Sequence, residues 1–337
     1  MRLLVLGGTA FLGHTVARQA LDAGHEVTCA ARGVSGEPPA GAELVRVDRD
    51  VDDGLVPLAG RTFDAMVDVS SRPGQVRRAV AALAGRVGHV TYVSTGSVYA
   101  DTSTPGQRAS RAPVVDPAPP ELDDPSADGF AAYGPCKVAA EQAVLDGFGT
   151  DRTFICRAGL IIGPGDRSGR FTYWVARLAR GGEVLAPGEP TECVQYVDVR
   201  DLAVWIVQAP ASGLTGVYDG IGAPVPREHF LTHVAAGVGA PVAFTWVDQQ
   251  FLLDQGIAPW MGERSLPMWL PVPRYAGFLS RDVSASLAAG LSTRDVAHTA
   301  RDTRAWLGTD PRLDDPPPGL RPEDEATLLA AWRADAG

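Results

Sequence analysis

A chain of 337 residues, 45% hydrophobic and 21% charged, has the material for a large folded core in one large domain or two. Its formal net charge of −10 argues against a protein that tracks a phosphate backbone, because that affinity comes from Lys and Arg, so a nucleic-acid partner is not expected. The first apolar run, Leu3–Leu6, is too short for a signal segment, and no stretch reaches the roughly 18 apolar residues of a membrane span, so a cytoplasmic protein without membrane attachment is expected.

The stretch RLLVLGG reads as a short strand ended by glycines. Phe11, Leu12, Val16, Ala17, Ala20 and Leu21 follow at helical spacing and stop at Gly24. Between them lies VLGGTAFLGH, with Gly7 and Gly13 placed for a tight turn and for close packing of helix on strand. A helix N-terminus at this point offers N–H groups to a pyrophosphate. Gly7, Gly8, Thr9, Ala10, Phe11, Leu12 and Gly13 are therefore the candidate dinucleotide loop, with Ala10 where glycine is usual. The second strand, HEVTCAAR, ends without the acid that reads an NAD ribose. Arg32 stands there instead, and a guanidinium suits a 2′-phosphate, which favours NADP(H) over NAD(H). A solvated surface arginine is the other reading. Asp48 closes the third strand, ELVRVD, where it can meet adenine or cap a turn. Ser70, at the end of the fourth strand FDAMVDVSS, is a further candidate beside the cofactor.

The fifth strand, HVTYVST, brings Ser94, Thr95 and Ser97 to the C-terminal edge of the sheet, where open α/β sheets bind ligands. Residues 101–128 form a long proline-rich loop, of the kind that is functional or mobile, and a candidate lid. A helix over 132–148 carries Tyr133 and Lys137 four positions apart, hence on one face. TFICRAG is a sixth strand. Strands that are apolar throughout and alternate with helices predict an α/β fold, a Rossmann-type doubly wound parallel sheet. Residues 1–165 and 196–220 are assigned to this dinucleotide-binding domain, and 166–195 and 221–337 to a smaller C-terminal substrate-binding α/β region. Asp201 is expected to cap a helix starting near Leu202. Residues 256–278 mix prolines with Trp260, Trp269 and Tyr275 and are expected as a packed loop with no regular element. Pro316–Pro318 precede a short acidic helix around 322–334.

The cysteines (Cys29, Cys136, Cys156, Cys193) lack C-x-x-C spacing and read as reduced thiols. His229 and His233 are four apart, but no third ligand is evident and no metal is expected.

Taken together, GGTAFLG, YVSTGSVY, YGPCK, RAGLIIGPGD and VQYVDVRDLA resemble the extended short-chain dehydrogenase/reductase family, the NAD-dependent epimerase/dehydratase group, in the family's order over residues 7 to 203. The glycine motif is also similar to atypical members that include the chloroplast stem-loop-binding proteins. The resemblance implies that Thr95 hydrogen-bonds the substrate oxygen and that Tyr133 is the general acid/base. It implies that Lys137 binds the nicotinamide ribose and keeps Tyr133 acidic. It also implies a homodimer paired through the Tyr133 helix and its neighbour.

Departures narrow the expectation. Gly96 and Ser97 stand where dehydratases of this family carry an acidic pair. Glu192 lies in the slot where sugar-nucleotide epimerases place a diphosphate-clamping Arg, for which Arg157, Arg167 and Arg170 are substitutes. The candidate substrate contacts are Ser97, Arg157, Arg170, Trp174 and Trp260. The expected function is NAD(P)-dependent reduction of a carbonyl-type group on a non-nucleotide small molecule. The alternatives are a sugar or sugar-nucleotide epimerase using transient oxidation, and a non-catalytic or RNA-associated member.

Overall fold

The computed structural model describes residues 1–127, 131–309 and 318–335. The six expected strands form as β1 (Arg2–Leu6), β2 (Glu26–Ala31), β3 (Glu43–Arg46), β4 (Phe63–Asp68), β5 (Val87–Thr95) and β6 (Thr153–Ala158), with helices α1 (Phe11–Asp22), α2 (Pro73–Leu83) and α3 (Tyr133–Phe148) between them. The chain continues through β7 (Ile161–Ile162), α4 (Arg170–Ala179), β8 (Gly182–Pro187), β9 (Cys193–Val194), β10 (Val197–Asp198), α5 (Val199–Ser212) and β11 (Gly216–Gly220). It ends with β12 (Val225–Pro226), α6 (Arg227–Val238), β13 (Val242–Val247), α7 (Gln249–Asp254), β14 (Ala258–Trp260), β15 (Ser265–Pro267), α8 (Ser284–Ala288), α9 (Val296–Leu307) and α10 (Pro322–Asp335).

β11 joins the six early strands in one parallel sheet of order β11-β6-β5-β4-β1-β2-β3. Helices cover both faces, so the strands are buried on both sides, which is why they read as unbroken apolar runs. Strand order reverses between β1 and β4, and ligands of open α/β sheets bind at that switch point, beyond the strands' carboxyl ends. In the register Leu6 lies beside Asp68 and Asp68 beside Tyr92, while β5 and β6 run three residues further and end together, Thr95 beside Ala158. Thr9, Ser70, Thr95 and Gly159 thus leave the sheet along one edge.

The C-terminal half has its own core of Phe171, Trp174, Phe230, Leu252 and Trp269, built from α4, α6, α9, α10 and the parallel pair β8–β13. Here Glu192 ion-pairs with buried Arg227. Its acidity in the slot of a diphosphate clamp is spent on internal structure. The acidic helix expected around 322–334 is α10, and it is anchored by Glu325, which pairs with Arg177 and accepts from the Leu185 N–H at 3.0 Å. Pro316 and Pro317 lie outside the described residues, as does the end of the 101–128 loop.

Two local expectations are corrected. Residues 256–278 do contain regular structure, since β14 and β15 pair in parallel, because the backbone around the prolines is extended enough to share three positions. The helix after β10 starts earlier than expected: Asp198 caps α5 by accepting from the Arg200 N–H at 2.8 Å, and Asp201 faces Arg294 at 2.7 Å.

The loop after β5 is stitched down over its described length. Val114 bridges Tyr99, and the Ala118 N–H donates to Pro135. Thr102 donates to the Arg274 carbonyl, Gly106 N–H to Ser280, and Arg108 pairs with Asp282 at 2.6 Å. Cys29, Cys136 and Cys156 are buried, Cys193 is half-buried, and all four thiols are free.

Candidate active site

A cavity of about 1200 Å³ runs along the carboxyl edge of the sheet. One end is floored by Thr9, Ala10, Phe11, Leu12 and Gly13, and the other by Trp260, Met261 and Phe278, with Thr95, Ser97, Tyr133 and Lys137 between. The glycine loop is closed by contact. A Cβ on Gly13 would lie 2.2 Å from the Gly7 carbonyl oxygen, and one on Gly8 would lie 2.5 Å from Cys29 Sγ. Gly7 itself has φ +92°, a left-handed turn that glycine adopts without strain. Gly7 and Gly8 therefore sit behind the wall and bring the start of α1 to it. Ala10 is extended and precedes the first helical turn, so its methyl leaves the helix N-terminus open to the cavity.

At the sheet's centre, Thr95 Oγ1 accepts from the Ser97 N–H at 3.2 Å and caps the short turn that follows β5. Thr95 also hydrogen-bonds Tyr133, the first residue of α3. Burial pushes the Tyr133 phenol above its ordinary value, while that hydrogen bond and the charge of Arg170 pull it back. Lys137 lies one turn further and is 3% exposed. It donates to the Val93 carbonyl at 2.6 Å and the Ser70 carbonyl at 2.9 Å. Burial brings it down to about 8, against the pull of Asp68 and Glu141. The resemblance assigns the acidifying of Tyr133 to Lys137. Thr95 and Arg170 act on Tyr133, while Lys137 donates to backbone carbonyls. Next to these, Ser94 Oγ is buried on the cavity wall with no hydrogen-bond partner among the described residues.

The other candidates divide. Ser97 and Arg170 line the cavity, and Trp260 lines it with its ring 5.0 Å from the Arg170 guanidinium. Ser70 lies just behind, its hydroxyl donating to Gln75 at 2.7 Å. Arg157 is off the cavity wall: it is buried in a two-bond pair with Glu141, at 2.8 and 3.0 Å. Trp174 is also off it, packed in the C-terminal core with its indole N–H donating to the Pro267 carbonyl at 2.7 Å. Each side chain is satisfied internally, and neither reaches the cavity wall where a substrate would meet it. Arg32 is exposed and pairs with Asp50 at 3.4 Å, and Asp48 is exposed with its carboxylate accepting from the Asp50 N–H at 3.0 Å; neither is on the cavity wall. The wall near Arg32 is made by Ser35, Gly36 and Glu37. This segment carries no motif in the sequence, since only the fold brings Gly36 against the Thr9 carbonyl. Phe278, Met261 and Asp166 are further wall residues without an individual sequence signal beyond the GPGD motif that holds Asp166.

His233 pairs with Asp295 at 3.0 Å and stacks on His229. Among the described residues no cluster of ligands could hold a metal, and no helix is long and apolar enough to cross a membrane.

A doubly wound parallel sheet, a tight glycine turn opening onto a long cavity, and a Thr–Tyr–Lys set at its centre define a dinucleotide-dependent α/β enzyme class. The cavity of about 1200 Å³ has the glycine loop, the α1 N-terminus and the unpartnered Ser94 hydroxyl on its wall, which suit a nicotinamide dinucleotide. Residues 3–218 match the NAD dependent epimerase/dehydratase family, and the chain belongs to it. The chain is 27% identical over 267 residues to a 2-alkyl-3-oxoalkanoate reductase of Stenotrophomonas maltophilia, covering 72% of this chain and 77% of that protein. It is 24% identical over 350 residues to a 2'-dehydrokanamycin reductase of Streptomyces kanamyceticus, covering 100% of this chain and 93% of that one. Among solved structures it resembles UDP-glucuronic acid 4-epimerase of Bacillus cereus in complex with NAD, with a TM-score of 0.62 at 14% identity over 91% of this chain and 99% of that one.

Proposed function

We propose that this protein is an NADP(H)-dependent reductase of a carbonyl group on a non-nucleotide small molecule. The observation that carries the reading is the joint placement of Thr95, Tyr133 and Lys137 on one wall of the cavity that the glycine loop floors. A bound reduced nicotinamide supplies the hydride to the carbonyl carbon. Thr95 Oγ1 holds the carbonyl oxygen, and Tyr133 gives that oxygen its phenolic proton, so one alcohol forms for each hydride and proton consumed. A phenol held protonated by burial is the right form for the reductive direction. Lys137 can exchange its backbone acceptors for ribose hydroxyls. Its role requires the ammonium, so cofactor affinity is expected to be full below about pH 8 and to fall as pH rises through that value. A titration of nicotinamide fluorescence across pH checks this.

Both relatives named as reductases support net reduction. The missing acidic pair at Gly96 and Ser97 speaks against dehydration. The epimerase reading is supported by the fold likeness and by the family. The two are told apart with a panel of ketones and sugar nucleotides: net loss of nicotinamide absorbance supports reduction, and an isomerised product without net loss overturns it.

Arg32 is the proposed reader of the 2′-phosphate. Its side chain is 55% exposed and held loosely by Asp50, so it can turn to an anion, and Arg46 lies against its carbonyl at 3.2 Å. Glu37 favours the opposite reading, because a carboxylate on the wall suits a ribose hydroxyl and repels a phosphate. Titrations of NADPH and NADH are expected to show NADPH preferred by tenfold or more, about 1.4 kcal/mol. Arg32→Ala is expected to erase that preference, and Glu37→Gln to widen it. NADH preferred by the wild type and lost in Glu37→Gln would reverse the assignment.

A further inference from the structure

From the reductase reading above, we infer that the substrate is an oxo acid, whose carboxylate is held by Arg170 while its apolar chain lies against Trp260 and Phe278. Arg170 opens α4 and faces the cavity near enough to Tyr133 for its charge to act on the phenol. Its side chain makes one hydrogen bond among the described residues, from Nε to the Ser168 hydroxyl at 3.2 Å. The guanidinium carbon lies 5.0 Å from the centre of the Trp260 ring. No carboxylate among the described residues closes on it as Glu141 closes on Arg157, Glu325 on Arg177 and Glu192 on Arg227. The nearest acid, Asp166, is turned into its own loop, accepting from the Ser168 N–H at 2.8 Å and the Ser168 hydroxyl at 3.0 Å.

A partly desolvated cation with most of its donors unused is costly unless an anion completes it. A guanidinium fork matches a carboxylate by two parallel bonds. The aromatic side of the site is held deliberately. Trp260 sits in the left-handed region at φ +74°, which costs a non-glycine residue on the order of 1–3 kcal/mol. Its N–H donates to the Trp269 carbonyl at 3.0 Å, and its ring meets Phe278 edge-on at 5.9 Å. The result is an apolar wall next to the Arg170 guanidinium, near the proton donor.

The test compares 3-oxo acids with their methyl esters, in wild type, Arg170→Met and Arg170→Lys. The acids are expected to show kcat/KM at least tenfold above the esters, carried mainly by KM. Arg170→Met is expected to abolish that difference, bringing the acids down to the level of the esters in the same variant, and Arg170→Lys to restore part of it. Equal use of acid and ester by the wild type overturns the inference, as does an equal loss on both in Arg170→Met. A second measurement needs no turnover: quenching of tryptophan fluorescence by hexanoate, by methyl hexanoate and by UDP in the NADPH complex. Hexanoate binding lost in Arg170→Met supports the carboxylate site even where no ketone is reduced, an outcome that would fail the reductase reading alone. UDP binding that depends on Arg170 while hexanoate does not bind overturns the site in favour of a nucleotide diphosphate.

Discussion

Tyr133→Phe is expected to lower reductive turnover by roughly 10²–10⁴-fold, the usual worth of a positioned proton donor. The ring that fills the start of α3 is retained, so the fold and the cofactor titration are expected to stay unchanged. Thr95 keeps its other bond, accepting from the Ser97 N–H. The loss should therefore appear in kcat, because the missing proton matters only as charge develops on the substrate oxygen. Single-turnover nicotinamide absorbance gives the readout. Turnover within about threefold of wild type would remove Tyr133 as the donor and would pass that role to solvent or to another group on the wall.

Asp219→Ala is expected to destabilise the fold by about 3–5 kcal/mol, because it strands a buried charge. Asp219 is 2% exposed at the end of β11. It accepts from Arg281 Nε at 3.0 Å and from the Tyr99 hydroxyl at 2.6 Å. The Arg281 guanidinium lies 3.3 Å from the Tyr99 ring centroid, and Arg157 approaches the same ring at 5.1 Å. Without Asp219, Arg281 keeps its charge in a site that is 5% exposed. Urea unfolding followed by circular dichroism measures the cost. Asp64→Ala, which removes an exposed pair with Arg2, serves as the comparison and should cost less than about 1 kcal/mol. A similar small cost at Asp219 would mean that water reaches Arg281 in the folded chain.

The sheet was legible because burial on both faces forces each strand to be apolar along its whole length, and glycines mark where the strands stop. That Tyr133, Lys137 and Thr95 meet at one cavity was legible because their spacing is local: a strand end, then one helical turn. Arg157 and Trp174 misled for the opposite reason. Nothing in sequence shows that Arg157 meets Glu141 across the α3–β6 contact, or that the Trp174 indole finds the Pro267 carbonyl far along the chain. A side chain suited to ligands is equally suited to an internal partner, and only three-dimensional proximity decides between them. Asp201 failed in the same way, since Arg294 claims it from a remote segment while Asp198 takes the cap. Glu37 was invisible because a loop of Ser, Gly and Pro reaches the cavity only through the turn of the backbone at Gly36.

The loop after β5 has a kinetic consequence. Residues 102–108 are tied to the 274–282 segment by backbone and side-chain bonds, and none of residues 101–127 lines the cavity. The cleft is thus a standing one along that flank. Encounter with substrate there should follow solvent viscosity in proportion, as for diffusion into an open vessel. Discrimination between substrates then rests on what the walls hold once a molecule has arrived.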